Sequence, residues 1–248
     1  MRGDETVQEQ LVCDPSNPME TAQLITGRKF MLAGQPIIHH YSGQFYIWRD
    51  GHYPEADDDA IRATVYKFLD DALGPANKGN KPFQPTTTKV NQVLDALRAV
   101  TNLDRSVVAP AWLDGQRNTS SHDLVSLKNG LLNLKTGELL KPTPMFWTHN
   151  ALAYEYTEDA ATPIQWHKFL KQIWPDDPES IRALQEMFGY LLTGDTSQQK
   201  AFMLVGPKRS GKGTIARVLT ALLGQSNVCQ PTRSASAFII SAAAEHSR

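Results

Sequence analysis

Residues 201–224 read AFMLVGPKRSGKGTIARVLTALLG. Residues 201–205 form an apolar run suited to a buried parallel strand. Gly206, Gly211 and Lys212 then satisfy the pattern G-x-x-x-x-G-K. Beyond them Ile215, Val218, Leu219 and Leu222 keep helical spacing until Gly224 closes the segment. Strand, glycine-rich loop and helix follow in the order a phosphate-binding loop requires. Glycines let the backbone curl until consecutive N–H groups face the phosphates, and the helix N-terminus adds partial positive charge. Lys212 supplies a mobile cation for β- and γ-phosphate oxygens. The candidate nucleotide-binding residues are Gly206, Pro207, Lys208, Arg209, Ser210, Gly211, Lys212, Gly213 and Thr214. The bland alternative is a glycine-rich corner with a solvent-facing lysine, and the flanking strand and helix patterns argue against it.

The loop departs from the usual pattern at one position. Gly213 stands where a hydroxyl normally meets Mg²⁺, and the hydroxyl comes one residue later, at Thr214. A Gly-Thr ending also occurs in nucleoside monophosphate kinases. ATP binding with Mg²⁺ therefore remains the expectation, but Thr214 is placed for the α-phosphate and direct metal ligation by the loop is not favoured. Lys208 and Arg209 occupy positions where glycines are common and add charge on the phosphate side.

Composition fits an ordinary globular chain. Its 248 residues are 41% hydrophobic and 21% charged, enough to bury a core. A net charge of -1 neither favours nor excludes a nucleic-acid partner, since a local basic patch can hide in a neutral total. Cys13 and Cys229 form neither a disulfide framework nor a metal-ligand pattern, so a reducing compartment is expected. With no apolar signal core and no run long enough to cross a bilayer, a cytoplasmic protein without membrane contact is expected.

Along the chain, the polar N-terminal region up to residue 30 is expected to be a flexible arm. Residues 37–41 and 44–48 flank Ser42-Gly43 and predict a β-hairpin. Ile61, Val65, Phe68, Leu69 and Ala72 share a helical face behind an acidic first turn, with Gly74-Pro75 as the stop. Residues 77–88 are expected to be a loop whose threonines cap a second helix striped by Val90, Val93, Leu94, Leu97 and Val100. Residues 124–140 alternate short strands with turns at Asn129-Gly130 and Thr136-Gly137. Trp166, Phe169, Leu170 and Ile173 predict a short amphipathic helix. A longer one follows, with Asp177 as cap, Pro178 in its first turn and Gly194 as stop.

Other candidates have simpler explanations. Asp57, Asp58 and Asp59 suit a solvated helix start better than a metal site. His39 and His40, adjacent on a strand, face opposite sides and predict one buried and one surface histidine. Trp48, Trp112, Trp147, Trp166 and Trp174 are scattered singly and fit core packing better than base stacking. Lys78, Lys81 and Lys89 are read as solvated surface rather than phosphate contacts. No catalytic residue and no metal ligand is assigned.

The loop and the blocks upstream of it resemble the phage/plasmid primase–helicase family, whose motor is a superfamily 3 helicase. The blocks are FYIWRDGHYPEADDDAIRATVYKFL, VNQVLDALRAVTNLDRSVVAPAWLDG, LKNGLLNLKTGELLKPTP and WHKFLKQIWPDDPESIRALQEMFGYLLTGDTSQQKAFMLVGP, in that order. The resemblance implies a mixed α+β helicase-associated domain over 31–160, a helical segment over 161–195 and an α/β, AAA+-like P-loop domain beginning at 196–248. It implies ATP hydrolysis driving a hexameric ring along single-stranded or forked DNA. Ser210 and Gly213 differ from the family's usual loop residues. The acidic motif that should follow is not matched: the apolar run at 238–240 carries no aspartate, and Glu245 is a poor substitute. The sensor and arginine finger would fall beyond Arg248. The expectation is therefore the N-terminal part of a larger motor, without a primase domain. A non-catalytic module binding DNA or a replication partner, with a vestigial loop, is the alternative. A small-molecule kinase is a third reading, and it lacks the segments such enzymes need after the loop.

Overall fold

A computed structural model describes residues 11–77, 79–115, 119–193 and 199–228. The chain is an α+β protein that divides into two compact units, described in turn. The first comprises residues up to Arg49 together with Tyr53–Val108; the second comprises Asp50–His52 and the chain from Ala109 onward. That boundary lies inside the segment 31–160.

The first unit opens with helix α1 (Pro18–Lys29), where a flexible arm is expected from the sequence. Asn17 Oδ1 accepts from Glu20 N at 3.2 Å and Pro18 sits in the first turn. Both features start a helix. Its inward face is narrow: Thr21, Ala22 and Ile25 are buried, and the helix packs largely against the helix over Thr87–Val100. Short strands β1 (Met31–Leu32) and β2 (Gln35–Pro36) pair next. The expected hairpin follows as β3 (Ile38–Tyr41) and β4 (Gln44–Ile47), with Tyr41 opposite Gln44. Ser42 and Gly43 have φ of 50° and 92°. Two left-handed residues in a row give the turn whose twist matches the strands.

Helix α2 (Asp58–Asp70) is capped by Asp57, which accepts from Asp59 N, so the aspartate cluster is a helix start. The helix ends before Gly74-Pro75. Those residues lie in β5 (Leu73–Ala76), which pairs with β6 (Gly79–Pro82), so part of the segment expected to be a loop is a second hairpin. Its prolines are tolerated because each strand of a two-stranded sheet has an open edge. Thr86 caps α3 (Thr87–Val100), whose Val90, Val93, Leu94 and Leu97 are buried. These side chains, with Ile25, Phe45, Ile61, Val65, Phe68 and Leu69, make the core. Cys13 is buried in it, and burial pushes its thiol pKa up. Lys89 is not the solvated lysine expected: its Nζ donates to Phe83 O and Gln84 O at 3.1 and 3.0 Å. Lys78 lies outside the described residues.

The second unit begins with β7 (Ala111–Trp112). It continues through the expected meander of β8 (Leu124–Leu127), β9 (Gly130–Asn133) and β10 (Leu139–Leu140), in the order β10-β9-β8. Strand β11 (Phe146–Trp147) returns to pair with β7. Trp147 is fully buried, and the Trp112 indole donates to Thr119 O at 2.8 Å. Asn129 clasps the chain at Tyr156 twice, donating to its carbonyl at 2.9 Å and accepting from its N–H at 3.0 Å. Helices α4 (Ile164–Ile173), α5 (Pro178–Leu192) and α6 (Lys212–Leu223) share one apolar cluster. Asp177 caps α5 through Ser180 N at 3.0 Å. Gly194, expected to stop α5, lies outside the described residues, as do Cys229, the run 238–240 and Glu245.

Residues 201–205 depart from expectation. They pair with no strand among the described residues, and Met203 and Val205 are 84% and 81% exposed. A strand is a ladder of hydrogen bonds and needs a neighbour, so the apolar run does not form one. Among the described residues no helix is long and apolar enough to cross a membrane.

Candidate phosphate-binding site

The loop between the apolar run and α6 closes on its own lysine. Lys212 Nζ donates to Gly206 O and Pro207 O, each at 2.8 Å, and to Ser210 Oγ at 3.1 Å. A lysine ammonium has three donors and no acceptor, so these bonds gather the loop around one cation. The curl needs unusual backbone: Arg209 and Gly211 have φ of 63° and 86°. Left-handed geometry is free for glycine and costs an arginine about 1 kcal/mol or more. The Ser210 N–H donates to Pro207 O at 3.4 Å inside the turn.

Gly211 is also the N-cap of α6, and both Thr214 N and Ile215 N donate to its carbonyl, at 2.9 and 3.1 Å. The first N–H groups of a helix have no partner within it, so α6 presents donors and partial positive charge at the loop. Ile215, Leu219 and Leu223 bury the opposite side of α6 against Leu170, Leu184, Met187, Phe188 and Leu191. The loop rests on α4: a Cβ on Gly211 would lie 2.5 Å from Ile173 Cδ1 and 3.1 Å from Phe169 Cζ. Sequence periodicity marks Phe169 and Ile173 only as an apolar face. That they support a glycine more than thirty residues later is a tertiary fact with no local signal.

The candidate residues thus divide by position. Gly206, Pro207, Ser210 and Lys212 meet around the ammonium. Lys208 and Arg209 are exposed on the turn between them. Gly213 is exposed, with nothing within 4 Å of where its Cβ would be. Thr214 lies one residue into the helix beyond it, and its Oγ1 accepts from Arg217 Nη2 at 3.1 Å. Residues 199–228 contain Lys200, Lys208, Arg209, Lys212 and Arg217 and no aspartate or glutamate. A chain of net charge -1 therefore concentrates positive charge here, the balance an anionic ligand requires. Among the described residues no three His, Cys, Asp or Glu side chains gather as a metal site.

No curated protein matches the chain significantly. A family model described as D5 N terminal like matches residues 29–175. The matched segment runs from the end of α1 to just past α4, and stops short of the loop. Spanning more than half of the sequence, the match places this chain in the D5 N-terminal-like family, the N-terminal domain of phage and plasmid primase–helicases.

Proposed function

We propose that residues 206–214 bind the phosphates of ATP, with Mg²⁺, and that the chain serves ATP-driven DNA unwinding by a phage/plasmid-type primase–helicase. In this reading residues 31–160 are the helicase-associated domain, 161–195 lead to the motor, and 196–248 begin its P-loop domain. The observation that carries it is the Lys212 ammonium enclosed by Gly206 O, Pro207 O and Ser210 Oγ at the head of α6. A γ-phosphate offers the same ammonium oxygen acceptors of higher charge, so a ligand can replace the loop's own carbonyls. Single-stranded or forked DNA is the nucleic-acid partner, and a hexameric ring is the working assembly of the motor.

The test is ATP binding and hydrolysis with and without single-stranded DNA, beside Lys212→Ala. The reading expects nucleotide binding that Lys212→Ala abolishes. One observation favours a second reading, a DNA- or replisome-binding module that does not use its loop: the family match lies wholly upstream of residue 206. DNA binding retained in Lys212→Ala, with no ATP binding in either protein, would establish that second reading.

A further inference from the structure

Threonines inside helices usually return their hydroxyl hydrogen to the carbonyl four residues earlier. Thr26, Thr64 and Thr220 do so here, each at 2.9 Å. Thr214 is arranged differently. It is the third residue of α6, so the residue four back is Ser210, which belongs to the loop rather than the helix. Its hydroxyl oxygen instead accepts a hydrogen bond at 3.1 Å from Nη2 of Arg217, one turn further along. No acceptor for its hydrogen is recorded among the described residues. A hydroxyl has one hydrogen to give and two lone pairs. The guanidinium, which can only donate, occupies one lone pair and leaves the O–H to point elsewhere. Thr214 lies in the first turn of α6, the turn whose N–H groups have no partner within the helix.

We propose that Arg217 is a positioning residue of the phosphate site, turning the Thr214 hydroxyl into a donor toward bound phosphate and away from a metal-ligand role. This rests on the phosphate-loop reading above and deepens it. A lone pair engaged by a cationic donor is poorly placed to ligate Mg²⁺, because two positive centres would compete for one oxygen. The adjacent Gly213 has no side-chain hydroxyl to offer in its place. The loop then contacts phosphate through Lys212, backbone N–H groups and the Thr214 O–H, and its affinity owes little to metal ligation by these residues. Arg217 is exposed, so its removal leaves the packing of α6 intact and separates positioning from folding.

The experiment is calorimetric titration of ATP and ADP into the full chain, with Mg²⁺ and with EDTA, for wild type, Thr214→Val, Arg217→Gln, the double variant and Lys212→Ala. Loss of a hydrogen bond to a charged phosphate predicts that each of the first two single variants weakens binding about tenfold. Because Arg217 acts through Thr214, the double variant should be little worse than Thr214→Val alone. The losses should be the same with Mg²⁺ and with EDTA, and thermal midpoints should not move. Additive losses, or no loss in Arg217→Gln, overturn the role of Arg217 while leaving the loop reading intact if Lys212→Ala still abolishes binding. Losses that vanish in EDTA overturn it too, since Thr214 would then serve the metal. Wild-type protein that binds neither nucleotide defeats the phosphate reading itself, and the Arg217 role falls with it.

Discussion

His39 sits half-buried on β3, with its ring 5.3 Å from that of Tyr53. Burial pushes its imidazole from the ordinary 6.5 down to about 4, because the charged form loses water it cannot replace. The unfolded chain therefore takes up a proton between those values that the folded chain refuses. Stability is complete above about pH 6.5 and declines as pH falls toward 4, the sign required when the unfolded state binds more protons. His40 is also half-buried and its pKa shifts the same way, through burial and then the Arg98 charge. Thermal midpoints taken from pH 7.5 to 4.5 should fall, and the fall should be shallower in His39→Phe. The sequence predicts the strand, with one histidine buried and one at the surface; instead both are half-buried. It could not show that both rings lose water, which depends on what packs above the sheet. The loop glycines make a second comparison. Gly211→Val combines a left-handed backbone with a clash against Ile173. Strain and overpacking together should cost about 2–4 kcal/mol in denaturant unfolding. Gly213→Ser meets open space and should leave the unfolding curve in place.

Among the elements, those with a wide apolar stripe or a strong turn pair were legible from the sequence: the β3–β4 hairpin, α2, α3, the meander, α4 and α5. Helix α1 was not, because its buried face is made of Thr21, Ala22 and Ile25, too small and too polar to stand out from a polar segment. Its start signals, Asn17 followed by Pro18, are present, but no apolar stripe follows them. Substituting Asn17→Ala should cost about 1 kcal/mol, and amide exchange along 18–29 should accelerate ahead of the rest of its unit. The β5–β6 hairpin is hidden in the sequence for the opposite reason. Gly74 and Pro75 are strong stop signals, yet α2 ends earlier, at Asp70, and these two residues themselves pair with Lys81 and Asn80. The expected strand at 201–205 shows the limit of periodicity. An apolar run records what a segment is suited to bury, while a ladder also needs a partner that no local pattern supplies.

For the whole molecule, the most consequential surface is that same run. Phe202, Met203, Leu204 and Val205 are exposed by 41%, 84%, 37% and 81%, and their backbone forms no ladder among the described residues. Exposed apolar backbone of this kind invites pairing with a second chain. Met203→Lys should raise the concentration at which the protein begins to self-associate, measured by light scattering, without changing its circular dichroism. An unchanged threshold would show that association, if any, proceeds through another face.

The close seat of Gly211 on α4 also bears on how signals could pass through this protein. Phe169 and Ile173 belong to the segment that the D5 N-terminal-like model covers, and the loop they support lies outside it. The last helix of the recognised domain is thus the floor under the candidate nucleotide site. If a partner engages that domain and displaces α4 by a fraction of an ångström, the curl around Lys212 must adjust. By thermodynamic reciprocity, filling the loop would alter that partner's grip by the same factor. A boundary drawn at residue 175 would leave the floor in one piece and the loop in the other, and would cut that coupling.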